Sequence, residues 1–360
     1  MKRANVTRIL ALAALAFAPA LPLLAADTGV KLDAPVAPDK NRFGISYRAG
    51  FNFTAEFKNV GNSARRKDPA RDPGPATGDD VDRFYDNGYN RVRTGDNFGG
   101  FTWFWGYNGA DQIITANDTI EMKSTTSRRI DSSTHDDDPQ HGFELTWDRE
   151  LGRAKSGKWA WGVEGALGWT DIEIRDHRTL RGGTVTLIDA FDLGGLNPVP
   201  PAGHAGTFDG PGPQIDSSPE RRFETSASGT TVRGQRDFDG DLFSFRAGPY
   251  IDLPLDERWT ISLSAGFAAG IIEGRYEFDE TVTIENTTTS QRGRGHNTDV
   301  LFGGYLSGTI HCKINDDWGV FVNGQYLGLA GTYEASANGQ KIQLDLTRTA
   351  FFSAGVTYSF

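Results

Sequence analysis

Apolar and polar residues alternate along the C-terminal segment of this chain, residues 342–360, and this alternation restricts the possible folds most strongly. Successive side chains of a strand point to opposite faces of a sheet, so the pattern predicts a strand with one apolar face. Arg348 is the one interruption of the apolar set. That set comprises Ile342, Leu344, Leu346, Ala350, Phe352, Ala354, Val356, Tyr358 and Phe360.

Seven earlier segments follow the same rule. In a soluble sandwich the apolar face of each strand would pack on a second sheet, whereas in a membrane barrel it faces lipid and the polar face lines the lumen. The 44 glycines, the 11% aromatic content and the negative mean hydropathy suit strands that are apolar on one face only. The segments are 45–57, 143–148, 159–170, 243–253, 259–271, 300–314 and 318–326.

The connections between these segments alternate between short and long. Residues 153–158, 254–258 and 315–317 predict tight turns, whereas 58–140, 176–239 and 276–298 are long and polar. We therefore expect an all-β, antiparallel, up-and-down transmembrane β-barrel with short periplasmic turns. Long external loops are expected near 58–100, 176–239 and 276–298, and the Pro-, Gly- and Asp-rich stretches 65–75 and 194–219 predict no regular structure of their own.

The number of strands is less firmly indicated than the topology. Within the first long connection, Trp103, Trp105 and Tyr107 share one parity, and residues 119–126 follow after a short polar gap. Aromatic residues mark bilayer interfaces, so we favour a further pair of strands and ten strands in total. Eight strands, with this pair raised above the membrane as a hairpin, is the alternative.

The N-terminus has the order of a cleaved secretory signal, since basic residues precede an apolar run at 9–24 and small residues follow at Ala25 and Ala26. We assign residues 1–26 to the signal, 27–41 to a periplasmic segment and 42–360 to the barrel, although residues 18–20 offer a competing cleavage site. No later apolar run is long enough to cross a bilayer as a helix. The expected location is the cell outer membrane.

Net charge and cysteine content disfavour nucleic-acid binding and leave no intramolecular disulfide. The formal net charge of −10 becomes more negative when the basic signal is removed, which disfavours nucleic-acid binding. The single cysteine, Cys312, has no intramolecular partner for a disulfide and is interpreted as a packing residue.

The terminal strand, with an aromatic residue at Tyr358 and Phe360 at the last position, resembles the assembly signal of the bacterial outer-membrane β-barrel superfamily. The whole chain resembles small OmpA-like or OmpX-like barrels enlarged by loops. This resemblance implies recognition by the barrel assembly machinery and periplasmic chaperones, and surroundings of outer-membrane lipid and lipopolysaccharide. It implies no particular activity or oligomeric state.

The parity of the strands predicts a polar cluster inside the barrel. An interior of eight to ten strands is about wide enough for side chains to fill it. The cluster is therefore interpreted either as a plug of salt bridges or as a narrow conduit for passive passage of small solutes. The role is structural or porin-like, with surface adhesion through the long loops as the alternative. The predicted cluster is Arg48, Glu56, Glu144, Asp148, Glu164, Arg246, Asp252, His311 and Lys313.

Catalysis and metal binding have weaker signals. Five histidines lie in or beside predicted loops, but no pattern places a nucleophile and an orienting group beside them, so we expect no enzymatic activity. Asp237, Asp239 and Asp241 surround Gly240 with a spacing that suits Ca²⁺, but the full loop pattern with a distal Glu is absent and we favour a solvated acidic loop. No other cofactor is expected. The five histidines are His135, His141, His177, His204 and His296.

Overall fold

A computed structural model describes residues 41–62, 80–93, 100–136, 139–155, 158–207 and 210–360. The predicted signal, 1–26, lies outside the described residues, as does the predicted periplasmic segment except for Asn41, which begins the first strand. No helix within the described ranges is long and apolar enough to cross a membrane.

The described chain is built almost entirely from strands, together with one 3-10 turn at Ala110–Gln112. In chain order the strands are β1 (Asn41–Phe51), β2 (Phe53–Val60), β3 (Asp80–Phe84), β4 (Gly88–Arg93), β5 (Phe101–Thr102), β6 (Trp105–Tyr107), β7 (Ile113–Ile114), β8 (Thr119–Ser127), β9 (Ile130–Asp136), β10 (Gln140–Arg153), β11 (Ala160–Asp176), β12 (Leu180–Asp192), β13 (Ile215–Asp216), β14 (Glu220–Pro254), β15 (Trp259–Ile284), β16 (Thr287–Lys313), β17 (Trp318–Ala330), β18 (Thr332–Ala337), β19 (Gln340–Asp345) and β20 (Thr349–Ser359).

Eight of these strands form a closed antiparallel ring. Going round it, β1, β10, β11, β14, β15, β16, β17 and β20 each pair with the next, and β20 pairs back onto β1. The neighbours follow chain order, so the ring has the predicted up-and-down topology. The prediction of ten strands is wrong for the described residues, and the eight-stranded alternative matches the ring.

A belt of apolar side chains covers the outside of the ring. Such an exposed apolar band, flanked by aromatic side chains, is the surface that a membrane-spanning barrel presents to lipid. Its members are Phe43, Ile45, Tyr47, Phe143, Leu145, Trp161, Val163, Leu167, Ile251, Leu253, Trp259, Leu263, Phe267, Val300, Phe302, Leu306, Ile310, Trp318, Val320, Val322, Tyr326, Phe352, Val356 and Tyr358.

Above the belt the strands continue, and the polarity of their two faces reverses. On β15, Leu263 and Phe267 point outward and are about half exposed, at 51% and 49%, opposite the buried inward Ser262 and Ser264. Farther up the same strand, with no change of parity, the inward Tyr276 is fully buried. The outside changes from lipid to water at this level, so apolar side chains are stable only inside. We call the structure above this reversal the outer region.

Two segments that read as single alternating strands in sequence, 45–57 and 342–360, are each divided at this boundary in the structure. Residues of one parity point outward on one side of the boundary and inward on the other. Asn52 adopts a positive φ of 66° between β1 and β2, so Phe53 and Phe57 are fully buried inside the outer region. At the other end of the chain, the turn at 346–348 separates the buried Leu344 from Phe352, which is 62% exposed in the belt. The prediction of one continuous closing strand over 342–360 is therefore wrong.

Most of the predicted loops are strands of the outer region. Residues 276–298 form the upper β15–β16 hairpin, and residues 176–239 contain β12 and the upper part of β14. The segment 194–219 packs against a small sheet, where Pro213 accepts a hydrogen bond of 2.9 Å from the Trp105 indole. Trp105 is fully buried in that sheet rather than placed at a bilayer interface, which is why the predicted extra pair does not join the ring.

Candidate functional site in the lumen of the ring

Four of the predicted lumen residues form one buried ionic network at the level of the belt. Glu144 bridges two guanidinium groups, with its oxygens 3.3 Å from Arg48 Nη1 and 3.0 Å from Arg246 Nη2. Arg246 also pairs with Glu164, which accepts a hydrogen bond of 2.9 Å from Ser264. Each charge thus has a partner, as burial requires.

A second ionic cluster lies nearer the short turns. Arg42 Nε is 2.8 Å from Asp148 Oδ2, and Arg42 Nη1 is 3.3 Å from Asp252 Oδ2. Ser262 donates a hydrogen bond to Asp252. The sequence prediction included both carboxylates but omitted Arg42, although Arg42 has the same parity on β1 as Arg48.

Three predicted members of the lumen cluster lie outside these networks. Glu56 points out from β2, where it contacts Lys58, because the reversal at Asn52 turns the strand over. Lys313 forms an exposed pair with Asp316 in the turn at 2.7 Å. His311 does point inward, and its ring packs on Phe321 at a centroid distance of 5.7 Å.

Apolar side chains fill the ring immediately above the ionic network. The Arg48 guanidinium lies 4.3 Å from the centroid of the Phe351 ring, and the Arg246 guanidinium lies 5.1 Å from the centroid of Tyr305. These two aromatic residues belong to a core that continues upward through fully buried side chains. That core includes Phe53, Phe57, Phe238, Leu242, Ala268, Ile272, Tyr276, Leu329, Tyr333 and Leu344.

A buried polar network inside the outer region was not predicted from the sequence. Arg236 Nη1 lies 2.7 Å from Glu280 Oε1, and Arg236 Nε lies 3.4 Å from Asp176 Oδ2. Burial by itself raises the pKa of Asp176, but the hydrogen bonds from Arg178 and the charge of Arg236 outweigh it and lower the pKa well below its ordinary value. The sequence signal was masked because these residues fell within segments read as loops.

Acid should weaken the outer region through Asp176. Because the folded-state pKa is depressed, the stabilisation is present above the unfolded-state pKa of about 3.9 and is lost as the pH falls below it. We expect the thermal unfolding midpoint, followed by intrinsic fluorescence in detergent micelles, to fall between about pH 5 and pH 3. Asp176→Asn should start lower and show a flatter pH dependence, whereas Asp239→Asn, at an exposed position, should follow the wild type. An unchanged slope in Asp176→Asn would contradict this role.

A second buried carboxylate anchors the small sheets. Asp189 is fully buried and accepts hydrogen bonds of 2.7 Å from both Arg221 and Tyr85. Burial raises its pKa, but these hydrogen bonds and the nearby charges of Arg221 and Arg83 lower it overall. The arrangement ties β12 to the upper end of β14.

The three aspartates proposed as cation ligands lie on the outward face of β14, not in a loop. Asp241 accepts a hydrogen bond of 2.8 Å from the Trp169 indole, and Asp239 lies 4.0 Å from Arg275. Asp237 has the same parity as these two and lies on the same face of the strand. Within the described ranges, no group of three or more His, Cys, Asp or Glu side chains is arranged to hold a metal ion. The structure therefore does not gather these carboxylates into a site.

The two residues of the predicted assembly signal lie where the ring closes. The backbone of Phe360 exchanges two hydrogen bonds with Asn41, of 3.1 Å and 3.0 Å. Its ring stacks on Phe43 with a centroid distance of 5.8 Å, and Tyr358 packs on Trp318 at 5.1 Å. The last residue thus joins the first described strand to the final one.

Comparison with known proteins gives only distant similarities. No protein-family description and no curated protein matches the chain. The structure of Ail from Yersinia pestis, in complex with the heparin analogue sucrose octasulfate, superposes with a TM-score of 0.30 and 10% identity over 90% of this chain and 100% of that chain. The outer membrane protease OmpT from Escherichia coli gives a TM-score of 0.26 and 10% identity over 90% and 98%.

The closed eight-stranded ring and its apolar belt decide the class of protein. This chain has the fold of an outer-membrane β-barrel protein. An outer-membrane location is what the alternation of apolar and polar residues predicts for such a chain. The distant similarities assign no role to any residue.

Proposed function

We propose that this protein is a closed outer-membrane barrel whose ring supports an outer β-region for recognition at the cell surface. The observation that carries the proposal is the filling of the ring at two successive levels. The Arg48–Glu144–Arg246 network occupies the membrane level, and the apolar core containing Phe351 and Leu242 lies above it. A polar solute would have to displace both layers.

Of the two interpretations of the lumen charges, this proposal adopts the plug of salt bridges in place of the narrow conduit. The charges are used within the barrel, since Glu144 and its two arginines are each at most 4% exposed. A desolvated ionic network that is fully paired holds strands together, and an apolar core offers no hydrogen bonds to a hydrated solute.

The proposed role involves no catalysis and no cofactor. His141, a histidine near the outer rim, contacts the Tyr47 hydroxyl rather than a serine or cysteine. Outer-membrane lipid, lipopolysaccharide, the barrel assembly machinery and periplasmic chaperones remain the partners we propose, on the basis of the apolar belt and the position of Phe360.

Conductance measurements test the closed barrel. We expect purified, folded protein in planar lipid bilayers to give no stable current steps, and liposomes containing it to swell no faster in small sugars than empty liposomes. A general porin reconstituted at the same protein-to-lipid ratio is the positive control. Stable steps that disappear after heat denaturation of this protein would overturn the proposal.

A further inference from the structure

The upper end of β14 is an open sheet edge. β12 pairs with one side of β14 from Val232 up to Glu220, but on the other side β15 pairs only from Thr230 downward. Residues 220–228 therefore have no strand partner on that side within the part of the chain that the structure describes. Every residue of this stretch is exposed.

Natural proteins usually protect such an edge with Lys, Pro or a bulge, because its free backbone groups readily pair with another strand. The register of β14 with β12 shifts at residues 227–228, but residues 220–226 contain no such irregularity, no Lys and no Pro, and Phe223 is 63% exposed at their centre. Four charged residues are present, Glu220, Arg221, Arg222 and Glu224, and the two that flank Phe223, Arg222 and Glu224, have opposite signs.

We propose that two copies of this chain pair through residues 220–226 of β14, antiparallel, about a two-fold axis at Phe223. This pairing rests on the proposed recognition role, for which it supplies the partner, a second copy of the chain. A second copy is the occupant because the charges of this edge are complementary to those of the same edge reversed.

Symmetry and charge together select one register. In an antiparallel pair, opposed residues lie on the same face of the sheet. A two-fold axis perpendicular to the sheet keeps every side chain on its own face, so each residue must oppose a residue of the same parity. The axis therefore lies at the level of one residue, which faces its own copy, and not midway between two successive residues. Centred on Phe223, the pairing places Arg222 opposite Glu224 of the second copy twice, and the two Phe223 rings face each other.

The neighbouring registers are disfavoured by like charges. Centring the axis on Arg222 places two arginines together and opposes Glu220 to Glu224, whereas centring it on Glu224 places two glutamates together. Like charges directly opposed destabilise a pair of strands, and opposite charges or aromatic pairs contribute roughly 0.2–1 kcal/mol each.

The side chains needed for this pairing are available. Arg222 contacts Glu121 at 2.8 Å and Glu224 at 3.4 Å, with its side chain 47% exposed and that of Glu224 61% exposed. The Glu121 side chain is only 14% exposed, so Arg222 must keep that pair, and the remaining N–H donors of its guanidinium are available to Glu224 of the second copy. Such a short edge predicts a weak pair. Antiparallel pairing reverses the direction of β14, so the barrel of the second copy points the opposite way, and the two copies pair between facing membranes or in detergent, not side by side in one membrane.

Cysteine cross-linking tests the register directly. In a Cys312→Ser background, Phe223→Cys should form a disulfide-linked dimer under mild oxidation, because residues on the axis lie about 4.5–5.5 Å apart, within disulfide range. Thr225→Cys is the matched control, since it is exposed and on the same face. In the proposed register it lies opposite residue 221, about 13 Å along the strand from its own counterpart, and should not cross-link.

Charge reversal provides a second test that does not depend on one variant folding. Adding Arg222→Glu or Glu224→Arg to the Phe223→Cys protein should each reduce the dimer at least several-fold, whereas mixing the two proteins should restore it as a heterodimer. Heat-modifiable migration on gels confirms that each variant is folded. Equal cross-linking of residues 223 and 225, or no rescue in the mixture, would overturn the pairing. Because bilayer conductance does not involve this edge, a failure here is distinguishable from a failure of the closed barrel.

Discussion

Replacing Glu144 with alanine is expected to lower the free energy of unfolding by about 3–5 kcal/mol, because two buried arginines would lose their shared carboxylate. Arg48 is 1% exposed and Arg246 is 4% exposed, so water cannot replace the lost partner without opening the ring. Arg246 keeps Glu164, whereas Arg48 keeps only the Thr170 hydroxyl among its hydrogen-bond partners in the described structure.

Urea unfolding in lipid vesicles, followed by tryptophan fluorescence and gel mobility, measures this effect. Glu56→Ala is the control, because Glu56 was predicted to lie in the same cluster but points outward in the structure, and its change should stay within about 0.5 kcal/mol. Combining Glu144→Ala with Arg48→Ala should cost less than the sum of the single changes. Similar losses in Glu144→Ala and Glu56→Ala would contradict the network.

Arginine placed at Leu344 and at Val356 is expected to produce two different defects. The alternation in sequence assigns both residues to one lipid-facing strand, but Leu344 is fully buried inside the outer region and Val356 is 42% exposed in the belt. Leu344→Arg should leave the ring inserted and destabilise the outer region by about 4 kcal/mol or more, through burial of an unpaired charge. Val356→Arg should impair insertion, by up to about 2–4 kcal/mol according to its depth.

Outer-membrane yield and protease treatment of intact cells distinguish the two defects. Leu344→Arg should reach the outer membrane in near-normal amount but release fragments of the outer region with trypsin, whereas Val356→Arg should give low yield and little fragmentation. Gln343→Arg, at a neighbouring half-buried position, is the control and should resemble wild type. Low yield from both variants would support a single membrane strand over 342–360 and contradict the reversal.

Because the ring is closed and carries an extended outer region, we expect the outer region, and not the lumen, to bind partners. The belt and the lumen network account for insertion and rigidity. The features available to a partner are the exposed strands above the reversal, such as the edge that carries Phe223. Binding through strand edges needs no loop of special sequence, since backbone hydrogen bonds supply much of the affinity.

The ring strands were predictable because lipid imposes a simple rule on them. Leu263 and Phe267 alternate with Ser262 and Ser264, and a two-residue period read from sequence is sufficient to assign both faces. The Arg48, Glu144, Glu164 and Arg246 network followed from that parity alone. The specific bridging of two arginines by Glu144 did not, because it depends on the register between β1, β10 and β14.

The outer region was not predictable by the same rule, because the rule inverts when water replaces lipid. Leu344 and Val356 have the same parity in sequence yet lie on opposite faces, since the turn at 346–348 re-phases the chain. Polar residues such as Asp239 and Asp279, which indicated loops, are the water-facing side of strands whose other side is core.

The alternation along the strands by itself predicted an outer-membrane location and determined the antiparallel ring and the composition of its two faces, because a chain that crosses lipid as strands must satisfy its backbone in a closed sheet. The tertiary structure alone decided that the ring has eight strands, that its interior is filled, and that the polarity reverses above the membrane. The number of strands and the filling of the interior depend on which strands become neighbours, and the reversal depends on where water replaces lipid. Alternation along one strand carries neither kind of information.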